Sequence, residues 1–383
     1  QATSNNPIDW TALEQTLSQP LLADLGQQIE LPFDMHIQGI HGTNWQYQAI
    51  NTKGENEFAI QVSAADLLAD ATGDNVQLQT LSVKSSLGEV QAKGQIQLQA
   101  DFPLQLNINA DLNTLKQKET VLLPATKANL TLSGTLKKQT ALLLQIQGAI
   151  DAELSAEAQL TAPKTPLNVK LAVARGQYPF DGNDPLSIKD VNLTINGDIL
   201  TSQIELNGAV NGMGIPANHL DLQAIGHLSN IEIHHLKLNA LEGSAELKGD
   251  VNWRDGVEWD SHLQLAKMNL GRYLSAFPAV LSGELSSQGQ VNQKGWQVAV
   301  PQVDIQGTLA QHSLALQGGL TAGDQQGVTI PQLVLTYGEN KIHAQGSMGK
   351  QSDFTLNIHA PNLRGLWADL SASLVGQIKL NGD

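Results

Sequence analysis

The sequence predicts an all-β protein, elongated and built from repeated amphipathic strands with a few short helices. Three observations carry that prediction. Apolar and polar residues alternate one by one over long runs, the period of strands with one greasy and one wet face. Aromatic residues are only 4% and charged residues 15% of the chain while glycines number 34, so the bulky side chains that fill a compact core are scarce. A chain of 383 residues with this composition fits one repetitive architecture growing along one axis better than two or three globular domains.

The organisation read from the chain is an amphipathic helical region over 1–30 followed by a continuous repetitive β-groove over 31–383. In the first region Asn6 is placed to cap a helix, Pro7 suits its first position, and Trp10, Leu13 and Leu17 form an apolar stripe that Pro20 interrupts. From Val90 to Leu112 every even position is apolar or glycine, and apart from Pro103 the odd ones are Gln, Lys, Asn or Asp. From Leu142 to Leu160 the same rule puts Leu142, Leu144, Ile146, Ile150 and Leu154 on one face and Gln145, Gln147, Asp151, Glu153 and Glu157 on the other. Ordinary strands run to about 5–6 residues, so such runs predict several strands joined by corners that keep the phase, at Asp101-Phe102-Pro103 and at Gly148. Shorter alternations at 191–199, 204–210, 245–253, 303–309, 314–320, 342–348 and 374–380 extend the pattern.

An internal repeat joins two distant segments. Leu263, Leu265, Asn269, Leu270, Tyr273, Leu274, Phe277 and Gly283 recur 93 positions later as Leu356, Ile358, Asn362, Leu363, Leu366, Trp367, Leu370 and Gly376. The spacing predicts a strand, a short helix burying Leu270, Tyr273, Leu274 and Phe277 (and Leu363, Leu366, Trp367 and Leu370 in the second copy), and a glycine-marked return of the sheet. Weaker copies of the strand-to-helix corner are read at Asp66-Leu67 and at Leu112 and Leu115.

Charge and chemistry narrow the function. With 22 Lys and Arg against 37 Asp and Glu, the net charge of -15 argues against nucleic acid as a partner and against docking on an anionic membrane surface. No stretch reaches the ~18 apolar residues of a membrane span and no signal-peptide pattern opens the chain, so any anchor is expected outside it. Cysteine is absent, which removes thiolate metal sites, disulfides and Cys nucleophiles. No nucleophile elbow, phosphate loop or zincin helix is present, so neither catalytic residues nor a cofactor are expected. His234 and His235, near His227, point to opposite faces of a strand unless a bulge intervenes, and no metal site is expected there. The Asp181-Gly182-Asn183-Asp184-Pro185 stretch lacks calcium-loop spacing and reads as a turn.

What remains is the apolar face. Its medium-sized aliphatic side chains suit fluid acyl chains, which need a continuous greasy track and no directional contacts. The residues expected to line such a lipid-binding groove are Val90, Ile96, Leu98, Leu104, Leu106, Ile108, Leu142, Leu144, Ile146, Ile150, Leu154, Leu160, Leu314, Leu316, Phe354, Leu356 and Ile358. A closed solenoid with a filled core, as in a cell-surface adhesin or autotransporter passenger, is one alternative. A chaperone-like groove accepting client β-strands is another.

The phrase Leu356-Asn357-Ile358-His359-Ala360-Pro361-Asn362-Leu363, with Leu366, Leu370 and then Gly376-Gln377-Ile378-Lys379-Leu380-Asn381-Gly382, resembles the AsmA-like inter-membrane bridge proteins, most of all their TamB branch. The copy beginning at Leu263 has Lys267-Met268 in place of Ala360-Pro361. Leu31-Pro32-Phe33-Asp34-Met35-His36-Ile37 is similar to the entry strands of that family. The resemblance implies an open, β-solenoid-like groove (a β-taco) in the periplasm of a Gram-negative bacterium, bridging inner and outer membranes. It implies phospholipid transfer toward the outer membrane, with a role in outer-membrane protein assembly. An inner-membrane anchor and a region meeting an outer-membrane barrel, TamA in the TamB branch, would both lie outside this chain, which resembles an internal piece.

Overall fold

The computed structural model describes residues 8–22, 25–26, 28–50, 56–117, 119–362 and 372–382. It is all-β and antiparallel, is not closed into a barrel, and divides into two compact units, Gln1–Ile215 and Pro216–Asp383.

The first unit carries helix α1 (Trp10–Leu17) and strands β1 (Met35–Ile50), β2 (Asn56–Thr72), β3 (Asn75–Ser85), β4 (Gly88–Gln97), β5 (Pro103–Leu112), β6 (Leu115–Gln117) and β7 (Thr120–Leu123). It continues with β8 (Thr126–Thr135), β9 (Thr140–Gln147), β10 (Ile150–Ala158), β11 (Pro166–Tyr178), β12 (Leu186–Asp198) and β13 (Thr201–Gly212). Each strand pairs antiparallel with the next along the chain, except that β5 pairs with β8 and the short β6 and β7 form a separate hairpin.

The second unit repeats the scheme with β14 (Ile215–His227), β15 (Asn230–Ala240), β16 (Gly243–Asn252), β17 (Val257–Asn269), β18 (Ala279–Asn292) and β19 (Gly295–Leu309). It ends with β20 (His312–Gly323), β21 (Gly327–Tyr337), β22 (Asn340–Met348), β23 (Ser352–Ala360) and β24 (Leu374–Gly382), each again antiparallel to its predecessor within the unit.

Phe102 turns between β4 and β5 at φ +55° with its ring buried, and Gly148 turns between β9 and β10. Long strands accommodate bulges, which bend them locally. Pro301 in β19 and Pro331 in β21 fall in bulges on both flanking ladders, where neither has a ladder partner, as a residue without an N–H requires. Asp190 and Lys267 occupy bulges at φ +50° and +52°.

The N-terminal segment lies along one rim of its unit. Leu22 N–H donates to the Leu160 carbonyl, Ile29 N–H to Leu98, Leu31 N–H to Gly73, and Lys164 N–H donates back to Ser18. All four contacts are made to turns at the same ends of alternate strands. Phe102 is buried at this rim beneath the Lys137 ammonium, 4.9 Å from its ring centre.

Three sequence expectations need correction. The helix begins at Trp10 with Asp9 as its cap, whose carboxylate accepts the Ala12 N–H at 2.9 Å, while Asn6 and Pro7 lie outside the described residues. The segment after β17 is one 3-10 turn, Leu270–Arg272, and Tyr273, Leu274 and Phe277 are exposed. Gly271 near its start and Pro278 at its end disfavour a longer helix in this connection, and i, i+3 spacing is met by a single turn equally well. Asp66-Leu67 is no corner but the interior of the long strand β2. The second copy of the helix, Leu363 to Leu370, lies outside the described residues.

Candidate functional site: an aliphatic sheet face

Cross-strand register turns the alternation into continuous rows. In the first unit one row runs Ile40, Leu67, Leu81, Ala92, Ile108, Leu130, Leu144, Leu154, Leu171, Leu193, Leu206, each directly opposite the next. A flanking row runs Gly94, Leu106, Leu132, Leu142, Ala156, Val169, Ile195, Ile204, and Val90, Ala110, Ala128, Ile146, Ala152, Val173, Val191 form a third. The second unit repeats this with Leu222, Leu236, Leu247, Leu263, Leu285, Val303, Gly318, Leu333, Ala344, Leu356, Ile378. Directly opposed side chains share a face, so none of these rows carries an ionisable group.

These faces are not the interior of a packed core. Among the described residues the buried apolar side chains are mostly alanines such as Ala71, Ala92, Ala224, Ala279 and Ala344. Leu106, Ile108, Leu130, Leu144, Leu263 and Leu285 are half-buried, with part of each side chain open to solvent. Leaving so many aliphatic side chains partly wet forfeits transfer free energy of roughly 1 kcal/mol or more each. A long contiguous surface of this kind makes each face the candidate site of its unit.

The opposite face is polar and internally paired. Lys237 meets Glu246 at 2.9 Å, Arg175 meets Asp151 at 2.5 Å, and Gln145 donates to Glu153 at 2.9 Å. The Gly148 N–H and the Arg175 guanidinium hold the Asp151 carboxyl below its ordinary range. His234 is the extra residue of a bulge in β15, so the bulge that a paired-histidine site requires is present. Yet His227 and His234 are engaged by Glu232 at 3.4 and 4.0 Å, and no metal-holding cluster is found among the described residues. In the Asp181–Pro185 loop the two carboxylates accept backbone N–H groups of Val121 and Gly214. No helix among the described residues is long and apolar enough to cross a membrane.

The structure places Val90, Ile96, Leu104, Leu106, Ile108, Leu142, Leu144, Ile146 and Leu154 on the aliphatic face of the first unit. Leu314, Leu316, Phe354, Leu356 and Ile358 lie on that of the second. Leu98 and Leu160 sit beyond strand ends at the rim bound by the N-terminal segment, and Ile150, at the mouth of a turn, is 41% exposed. Sequence reasoning omitted, among others, Leu81, Leu130, Leu171, Leu193, Leu247, Leu263 and Leu285, which also stand in these rows. The shorter alternating runs carried that signal for Leu193 and Leu247.

Fold and face together define a class of open, antiparallel β-sheet protein in which each unit presents an aliphatic face. Over residues 1–383 the chain matches the family model described as TamB, N-terminal domain, and it belongs to the TamB family. It is 43% identical over 380 residues to the translocation and assembly module subunit TamB of Haemophilus influenzae, covering 99% of this chain and 29% of that protein. It is 20% identical over 320 residues to an uncharacterized protein of Buchnera aphidicola subsp. Schizaphis graminum, covering 81% of this chain and 30% of that one. The chain thus spans under a third of these relatives, and no solved structure matches it.

Proposed function

We propose that the chain is a segment of a non-enzymatic lipid conduit in the Gram-negative cell envelope, its aliphatic faces carrying phospholipid acyl chains across the periplasm between inner and outer membranes. The observation that carries this reading is the unbroken aliphatic row across every main strand of each unit, half-open to solvent and free of charge. Acyl chains can slide along such a row because no step breaks a hydrogen bond or buries a charge. A solenoid with a filled core would instead bury its leucines, not chiefly its alanines.

In this reading the partner proteins follow from family membership. The relative's name places it in a translocation and assembly module. The full-length protein would then work with an outer-membrane barrel of the TamA kind and serve outer-membrane protein assembly, through regions outside this chain. Extraction of the purified chain followed by lipid mass spectrometry is the test. Co-purifying phospholipid that Ile146→Asp removes supports the conduit, and a lipid-free chain rejects it.

A further inference from the structure

The aliphatic face changes character toward one rim of the second unit. Along β17 it reads Leu265, Leu263, Ser261, Trp259, Val257, opposite Gly283, Leu285, Ser287, Gly289, Val291 on β18. The turn before β17 carries Trp253 and Arg254; the turn after β18 carries Lys294, and Trp296 on β19 stands opposite Val291. Three of the six tryptophans of an aromatic-poor chain therefore gather at one rim.

Their setting is built. Trp259 lies over Gly289, where a Cβ would come within 2.3 Å of the indole, and its Nε1–H donates to Ser287 Oγ at 3.1 Å. Trp253 and Trp296 are 38% and 45% exposed, beside Val257 and Val291 at 46% and 48%. Read from the sheet centre outward, the face passes from aliphatic to hydroxyl and indole and then to charged groups. Arg254 and Lys294 share these turns and their neighbourhood with Asp255 and Asp324, a mixed charge.

A phospholipid changes polarity in the same order, from acyl chain through ester and glycerol to phosphate, and tryptophan favours the level where apolar meets polar. From Val257 to Leu263 the strand spans about 20 Å at ~3.3 Å per residue, about the depth of one leaflet. We infer that the Trp253–Trp259–Trp296 rim is a subsite for the ester and headgroup end of a zwitterionic phospholipid whose acyl chains lie on Leu263, Leu265 and Leu285. Arg254 and Lys294 would meet the phosphate, and Asp255 and Asp324 the headgroup ammonium. The inference rests on the conduit reading.

The test mixes the full chain with phosphatidylethanolamine vesicles doped with phosphatidylcholine brominated either near the ester or near the methyl end of its chains, and follows tryptophan fluorescence. A photo-crosslinker at Leu263 reports acyl-chain contact separately. Shallow bromines should quench about twice as strongly as deep ones, and Trp253→Phe with Trp296→Phe should reduce that difference by about half or more, Trp259 retaining the rest, while leaving the Leu263 lipid adduct in place. Equal quenching by both lipids, or a difference undiminished in the double variant, overturns the rim subsite even when Leu263 still crosslinks lipid. Absence of both quenching and adduct overturns the conduit reading as well.

Discussion

Gly283 of β18 lies so close to the Asp304 carbonyl of β19 that a Cβ on it would stand 2.0 Å from that oxygen. Its φ of +138° is one that other residues rarely adopt. Leu265 stands opposite Gly283, and 93 residues later Ile358 stands opposite Gly376 in the same register, so the sequence repeat is also a ladder repeat. Gly376, however, has nothing within 4 Å of the same position. Gly283→Ala should therefore destabilise the second unit by roughly 2 kcal/mol, whereas Gly376→Ala should change it by less than about 0.5 kcal/mol. Urea melts of the two variants check this, and equal effects would show that contact with the next strand is not what demands glycine.

A charge on the aliphatic face should harm function more than fold. Leu106 stands between Gly94 and Leu132 and is half-buried, so the guanidinium of Leu106→Arg can reach water along its stem. We expect a melting curve shifted by no more than about 1 kcal/mol together with loss of co-purifying lipid. In a closed core the cost would be about 3 kcal/mol or more, a result that thermal denaturation would expose at once.

Glu242 should report the 3-10 turn after β17. It accepts hydrogen bonds from Arg272 at 2.5 Å and Asn269 at 2.8 Å, and these hold its carboxyl below the ordinary glutamate value. Because the folded value lies below the unfolded one, the contact stabilises above the usual glutamate range of ~4.3 and is lost as pH falls through the depressed value. Carboxyl NMR titration should give a midpoint below that of a free glutamate, moved upward by Arg272→Ala. An unmoved midpoint would mean that the guanidinium is not the cause.

The helix cap offers a local check. Removing the Asp9 acceptor by Asp9→Ala should weaken α1 by about 1 kcal/mol, seen as faster amide exchange at Ala12 with strand amides unaffected. Unchanged exchange would place the cap elsewhere.

How far the sequence carried the fold depended on the kind of signal. Period-2 alternation made the faces legible, because a slip of one residue at Leu106 would put glutamine or asparagine into the row. The corners at Phe102 and Gly148 were legible from proline and glycine. Bulges at His234, Asp190 and Lys267 were not, since His and Lys carry no turn signature, a lone Asp inside an alternating run is too weak a one, and the extra residue is dictated by the neighbouring strand. The stretch from Leu270 to Phe277 misled for the same reason: its helical spacing describes side-chain identity, while its conformation follows from the distance between the ends of β17 and β18. The tryptophan rim was not legible because Trp296 lies 37 residues after Trp259 and joins it and Trp253 only through the register of β16 to β19.

The central claim is that acyl chains contact one face of the sheet and not the other. Leu106 and Leu130 lie on the aliphatic face, while their chain neighbours Gln105 and Asn129 are exposed on the opposite one. A photo-activatable residue placed at each of these four positions in turn, followed by mass spectrometry of adducts formed in cells, tests the claim directly. Phospholipid adducts at Leu106 and Leu130 with none at Gln105 and Asn129 are expected. Adducts spread equally over the four positions, or absent from all of them, would contradict it.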